Sequence, residues 1–304
     1  MNTPRLYQAP ILLLCALVTG HSFAQQEQSN LDSLDTIKIE KLTDVKGKMD
    51  TAENVFKISV PRTDLAVTIA GVKMIPPMGL TSWAAFKSVG DQVMVMGDMV
   101  LQEEQVNPVL TIALDNGIEV TALHNHFLWD TPKVMFMHIG GMGDLEKLAM
   151  GVGKIFQEIK NTSGGKTLVP HTLFVTSKTS LNPKVIETII GVPVEKAGEI
   201  YKVTIGQTTV MAEHDVGKTM GINTWAAFAG SNKNAVVDGD FAMFESELQG
   251  VLKALRNTGI FITAIHHHMT GESPKIVFLH YWGTGSVNDL AKALKTALNS
   301  QASS

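Results

Sequence analysis

From Val55 onward the chain alternates short β-rich runs with longer helical ones, and it does so twice. Val55-Phe56-Lys57-Ile58-Ser59-Val60 and Leu65-Ala66-Val67-Thr68-Ile69 are separated by the turn-forming Pro61-Arg62-Thr63-Asp64, which predicts a hairpin or a strand with a sharp corner. Residues 81–86 and 93–101 read as strands flanking Gly90-Asp91. Residues 103–116 read as a helix, in which Asn107-Pro108 has the form of an N-cap with proline in the first helical position and Gly117 closes the run. Residues 118–126 and 132–139 are two more strands, with residues 127–131 as a hairpin loop. Leu145, Leu148, Ala149, Val152, Ile155, Phe156 and Ile159 then recur at helical spacing within residues 144–160.

Asn161-Thr162-Ser163-Gly164-Gly165-Lys166 has a linker composition, after which the order returns. A lead-in at 183–197 and a strand at 200–205 precede strands at 224–228 and 236–243, a helix at 245–258, strands at 260–268 and 274–281, and a helix at 287–298. Residues 79–149 align with 221–291 without a gap, and 25 of 71 positions are identical, enough to identify a tandem duplication. The predicted class is α+β: two homologous domains in ββαββα order, each an antiparallel sheet with helices on one face. The boundaries are a signal peptide at 1–24, a leader at 25–50 with a short helix or irregular lead-in at 34–43, a first repeat at 51–160, a linker at 161–170 and a second repeat at 171–300. Whether the two sheets merge into one is left open by the pattern.

The first 24 residues change the expected address. Arg5 gives a positive start, residues 10–18 an apolar run, and Ser22-Phe23-Ala24 a small-x-small cleavage site. That run is shorter than the roughly 20 residues of a membrane span, so the expectation is a chain cleaved after Ala24 and released to the periplasm or the medium. Cys15, the single cysteine, lies within the apolar run, and the mature chain therefore relies on its core rather than on disulfides. A formal net charge of −4 argues against a nucleic-acid partner, which calls for a basic patch. It leaves a small molecule or a cell-envelope component.

The identities between the copies concentrate on residues with chemistry. His124, His126 and His138 return as His266, His268 and His280; Gly97-Asp98 returns as Gly239-Asp240, and Glu103 as Glu245. Two histidines two apart on a strand project from one face about 6.6 Å apart. If His126 opposes Val134 or Phe136, His138 joins them on that face; a slip of one residue turns it away. Three imidazoles suit zinc, copper or nickel, with Asp98, Glu103, Asp240 and Glu245 as further ligands, catalytic bases or orienting carboxylates. The alternative is a pocket of hydrogen-bonding histidines for an organic ligand, and a third reading is copper sequestration. Trp83 and Trp225 read as core, with pocket wall as the functional alternative, the methionines as packing, and His267, His171 and His214 as residues outside the repeated set. No nucleophile elbow, phosphate loop or dinucleotide fingerprint is present.

Pro61-Arg62-Thr63-Asp64-Leu65, Ser82-Trp83-Ala84-Ala85-Phe86, Gly97-Asp98, Val106-Asn107-Pro108-Val109, the run from Gly117 through Ala122-Leu123-His124-Asn125-His126, and Phe136-Met137-His138 resemble the LppY/LpqO family of exported bacterial proteins. The resemblance spans both repeats and implies export, without an assigned activity. The chain departs from the lipoprotein pattern by lacking a lipid-attachment cysteine. Its second copy departs with His266-His267-His268 and without the Asn-Pro pair.

Overall fold

Residues 34–165 and 179–301 are described by a computed structural model; the expected signal segment, residues 166–170 of the expected linker and His171 lie outside them. The first half runs α1 (Thr36–Thr43), β1 (Gly47–Asp50), β2 (Val55–Pro61), β3 (Thr68–Ile69), β4 (Val72–Lys73), β5 (Thr81–Val89), β6 (Gln92–Gln102), α2 (Glu103–Asp115), β7 (Glu119–His124), β8 (Asp130–Thr131), β9 (Val134–Gly143) and α3 (Leu145–Thr162). The second half runs α4 (Pro183–Ile190), β10 (Glu195–Ala197), β11 (Ile200–Gly206), β12 (Thr209–Met211), β13 (His214–Val216), β14 (Asn223–Gly230), β15 (Ala235–Phe244), α5 (Leu248–Asn257), β16 (Phe261–His266), β17 (Ile276–Gly285) and α6 (Val287–Gln301).

The two halves share one antiparallel sheet of 12 strands, in the order β1-β2-β5-β6-β9-β7-β16-β17-β15-β14-β11-β10. They meet where Leu123 of β7 pairs with Ile265 of β16. These residues occupy the same position in the two copies, so a pseudo-twofold axis passes between them. Alternation along the strands then separates two faces. Val95, Met99, Leu101, Val120, Leu123, Met137 and Ile139 point to a helix layer and pack with Val109, Leu110, Val152 and Ile155 in a core that continues into the second half. Among the described residues the opposite face carries no helix layer. It carries a small cluster of Val67, Met74, Leu80, Val100, Val134 and Phe136, roofed by the sheet β4-β3-β8.

Several expected elements changed role. Residues 36–50, expected in a leader, are packed onto the first repeat: Ile39 is fully buried in the common core, and β1 pairs with β2. Residues 65–69 do not form a hairpin with β2, whose partner is β5. Arg62 turns the chain instead, its buried guanidinium donating to the Val100 carbonyl, to Gln105 Oε1 and to both oxygens of Asp64. Helix α2 begins at Glu103, leaving Pro108 inside it, and the helix expected at 245–258 opens as a 3-10 turn over Glu245–Glu247 before α5.

Asn107, expected as a cap, is a clamp. Its Oδ1 accepts from Ile262 N at 2.8 Å and its Nδ2 donates to Ile262 O at 3.0 Å, both in the other half. Gln249, the residue at the same position of α5, does the same to Val120: Val120 N donates to Oε1 at 3.1 Å and Nε2 donates to Val120 O at 2.9 Å. Each half thus satisfies a strand backbone of the other where the seam opens.

Candidate metal centres

A bulge in β7 sets the first cluster. Val120 pairs with Ile139 and Ala122 with His138, so Thr121 is the extra residue, and His124 then faces Phe136. This is the register that continues to His126 opposite Val134, and it brings His138 to the same face as His124. The second half repeats the bulge between Ile262 and Ala264, with Ala264 opposite His280 and His266 opposite Phe278. A bulge puts two consecutive residues on one side of the strand; this accounts for the retained Thr121-Ala122 and Thr263-Ala264.

In the first half, ligand atoms of His124, His126 and His138 all lie within 4.8 Å of one another. His124 stacks at 5.1 Å between ring centroids on both His126 and His138. Phe136 lies flat under the His126 ring at 3.4 Å and 8°, fixing a residue that is otherwise on an exposed loop. His124 Nδ1 is 3.3 Å from the Asn125 carbonyl. A carbonyl only accepts, so Nδ1 is the donor of that contact.

Asp98 sits directly across from His138 on the neighbouring strand. It is 8% exposed, and its Oδ1 has no hydrogen-bond partner among the described residues. Burial holds its carboxyl above the usual carboxylate range, opposed by His138, His126 and His124. Burial likewise holds His126 below the usual imidazole value, offset in part by Asp98. The first cluster thus sets a buried carboxylate oxygen without a partner among the described residues beside three imidazoles.

In the second half the ligand atoms within 4.8 Å of one another belong to Asp240, His266 and His268. Asp240 Oδ2 is 3.5 Å from His268 Nε2, and Oδ1 accepts from Leu279 N at 3.2 Å. Its carboxyl is pushed up to about 6, first by burial. His266 is pushed down to about 4 by burial and by the adjacent His280, His268 and His267 rings; its Nδ1 is buried and unpartnered. His280 stacks on His266 at 4.8 Å, and its Nδ1 is 3.3 Å from Gly239 O. Phe278 repeats the platform under His268 at 3.4 Å and 12°.

Glycine before each aspartate is a packing requirement. A Cβ at Gly97 would lie 2.6 Å from Trp83 O and 2.9 Å from Ile139 Cγ1, and one at Gly239 would lie 2.4 Å from Trp225 O. The tight strand contact directs the aspartate to the open face. Trp83 and Trp225, expected in the core, are half-buried partners of Asp98 and Asp240 on that face. Lys57 and Lys202 cover them at 4.1 and 4.5 Å. Met96 and Met142, expected as packing, are exposed there at 60% and 49%.

Glu103 and Glu245 are exposed in the first turns after β6 and β15 and are not brought into either cluster. His214 is exposed in β13, and His267 is exposed with its Nδ1 3.3 Å from Ile276 O. Sequence reasoning missed three contributors: the Phe136 and Phe278 platforms, the bulge, and the Asn107/Gln249 clamp. The first two were signalled by identity between copies. The third was signalled only by an amide at the same position in each.

A family described as Domain of Unknown Function (DUF1259) matches residues 38–158 and 184–300. The two segments coincide with the two halves of the sheet; the match does not carry the LppY/LpqO name. No curated protein matches the chain. Among solved structures, a trimeric bacterial microcompartment shell protein, PduB, matches at 13% identity over 84% of this chain and 89% of that one. Its TM-score of 0.19 is too low for the likeness to bear on this fold.

Proposed function

Through both halves the chain belongs to the family described as Domain of Unknown Function (DUF1259), and we propose that it is an exported protein binding a divalent metal, zinc or copper, at each histidine cluster. The observation that carries this is the repeated convergence of three donor atoms within 4.8 Å on the helix-free face. The unpartnered Asp98 Oδ1 and His266 Nδ1 support it, because buried polar atoms without partners are costly in a protein that leaves their ligand out. Residues fitting the ion are His124, His126 and His138 at the first site, and His266, His268 and Asp240, with His280 beside them, at the second. Export rests on the pattern of residues 1–24 and is tested by N-terminal sequencing of periplasmic protein, which should begin at Gln25.

Hydrolysis of a small substrate is the reaction we assign to the first site. A zinc ion held by three imidazoles supplies a Lewis acid and brings the pKa of a water it binds to about 7. His124, His126 and His138 each bring a ring nitrogen within 4.8 Å of the others, and Phe136 keeps the His126 ring from swinging away. Asp98, with its basicity raised by burial, accepts a proton at Oδ1 and returns it to the leaving group. Substrate enters from the face without helices.

Metal analysis of the protein purified without chelator should give two ions per chain, and one for His124→Ala/His126→Ala. Saturating metal should raise stability by about 2.7 kcal/mol at a hundred times Kd. No stoichiometric metal and an unmoved Tm would sink the assignment. Hydrolysis is tested separately: Asp98→Asn should keep its metal and lose turnover of activated carboxylic and phosphoric esters. A wild type inactive on the whole panel ends the hydrolytic reading and leaves the metal sites standing.

A further inference from the structure

The seam register places the two clusters on one patch. With Leu123 opposite Ile265, the antiparallel pairing sets Ala122 beside His266 and Ala264 beside His124. Ala122 is also the partner of His138, and Ala264 that of His280. One row across the sheet therefore reads Asp98, His138, Ala122, His266, and its dyad mate reads Asp240, His280, Ala264, His124. His138 and His266 stand two strands apart, about 10 Å. His124 and His266 are diagonal neighbours, about 7–8 Å apart.

What lies between the clusters is small and apolar. Ala122 and Ala264 are half-buried and put two methyl groups where any longer side chain would fill the gap. Both are identical in the two copies. Two bound dications would make each end of this floor electropositive, with one carboxylate, Asp98 or Asp240, at each outer side. Lys57 and Lys202, from the neighbouring rows, place their ammonium groups over Trp83 and Trp225, the next members of these two rows. Such a surface, positive at two ends and apolar in the middle, matches a ligand with an anionic group at each end and a methylene chain between them.

Resting on the metal reading above, we propose that the two clusters form one composite site for a single linear dicarboxylate, with one carboxylate at each metal and its chain across Ala122 and Ala264. Ions held two strands apart, as His138 and His266 are, would be separated by about 10 Å, and two metal–oxygen bonds of about 2.0–2.2 Å would leave about 6 Å between the bound oxygens. That is the reach of glutarate or adipate. Two anchored ends make the second contact intramolecular, so affinity should exceed that of a monocarboxylate by at least tenfold.

The test is calorimetric titration of the zinc-loaded full chain with glutarate, adipate and acetate. We expect one dicarboxylate per chain carrying two zinc ions, two acetates per chain, and at least tenfold tighter binding of the dicarboxylate. Either half-site variant, His124→Ala/His126→Ala or His266→Ala/His268→Ala, should lose that advantage. Ala122→Leu/Ala264→Leu should retain both zinc ions and lose it too, which separates a blocked floor from a failed fold. Two dicarboxylates per chain, or dicarboxylate and acetate binding alike to a protein with two zinc ions, overturns the composite site and leaves the metal assignment intact. A chain that takes up no zinc overturns both.

Discussion

Replacing Asn107 by alanine tests whether the halves are held together by their helices. The side chain makes two hydrogen bonds to Ile262, at 2.8 and 3.0 Å, across the seam. Ile262 is 1% exposed, so truncation strands one backbone donor and one acceptor. Each unsatisfied buried group costs about 1–3 kcal/mol. Asn107 is only half-buried and water can follow the lost amide, so the lower end applies to both groups, a total of about 2 kcal/mol. For a chain of this size that lowers Tm by about 4–8 °C. The diagnostic readout is hydrogen exchange: Asn107→Ala should release the Ile262 amide, 155 positions away in sequence, while Val120 stays protected by Gln249. Gln249→Ala should do the reverse. Urea unfolding of the two single variants and the double variant should be additive, since the clamps sit on opposite sides of the dyad and share no partner. A loss under about 0.5 kcal/mol for Asn107→Ala, or equal exchange at both amides, would refute the clamp.

Two more outcomes follow from the geometry around the aspartates. In the metal-free chain His266 has its pKa depressed to about 4, so its contribution to stability is whole above its ordinary value of 6.5 and lost as pH falls toward 4. Asp240 has its pKa raised to about 6, so its contribution is whole below 3.8 and lost as pH rises through 6. Metal binding needs both groups deprotonated; in His124→Ala/His126→Ala, zinc affinity at the second site should rise with pH from about 5 and flatten above about 7. That rise is about sixfold from pH 5 to 6 and about tenfold by pH 7 for an Asp240 pKa of about 6; competition against a chromophoric chelator reads it, and a flat profile would remove Asp240 from the ligand set. Gly97→Ala forces a Cβ to within 2.6 Å of a backbone oxygen, at a cost of about 1–3 kcal/mol by overpacking. Thermal unfolding should show that loss, whereas Gly90→Ala, with open space around it but φ +61, should cost about 1 kcal/mol through backbone strain alone.

The duplication, the strands and the three-histidine sets were legible because each is a local or periodic signal. His124 and His126 on one face is a consequence of strand geometry, and the return of the set 142 positions on, from His124 to His266, needs only comparison of the chain with itself. Register was not legible, since Thr121 enters the hairpin as a bulge residue and nothing about threonine announces that. Asn107-Pro108 misled because the pair satisfies the rule for a helix start, while α2 starts one turn earlier, where Gln102 N donates to Gln105 Oε1 at 3.0 Å. Tertiary pairing decided between two locally acceptable starts, and it freed the Asn107 amide for the other half. Trp83 reads as core with pocket wall as the alternative; in the fold a lysine ammonium lies over its ring and a buried aspartate stands beside it on the open sheet face.

The seam also explains why the two copies diverged unevenly. Helix residues drifted because any apolar side chain of suitable volume keeps the layer packed. Phe136 and Phe278, Ala122 and Ala264, and the six histidines did not, because each is fixed by a neighbour on the other side of a strand. The central strands make this mutual. β7 lies between β9 of its own half and β16 of the other, so a substitution that moves His124 also moves the strand beside His266. A bulge lost in one half would shift Ala122 away from both His138 and His266 together. Two sites built on adjacent central strands of one sheet are thereby constrained as one object, whatever each binds alone.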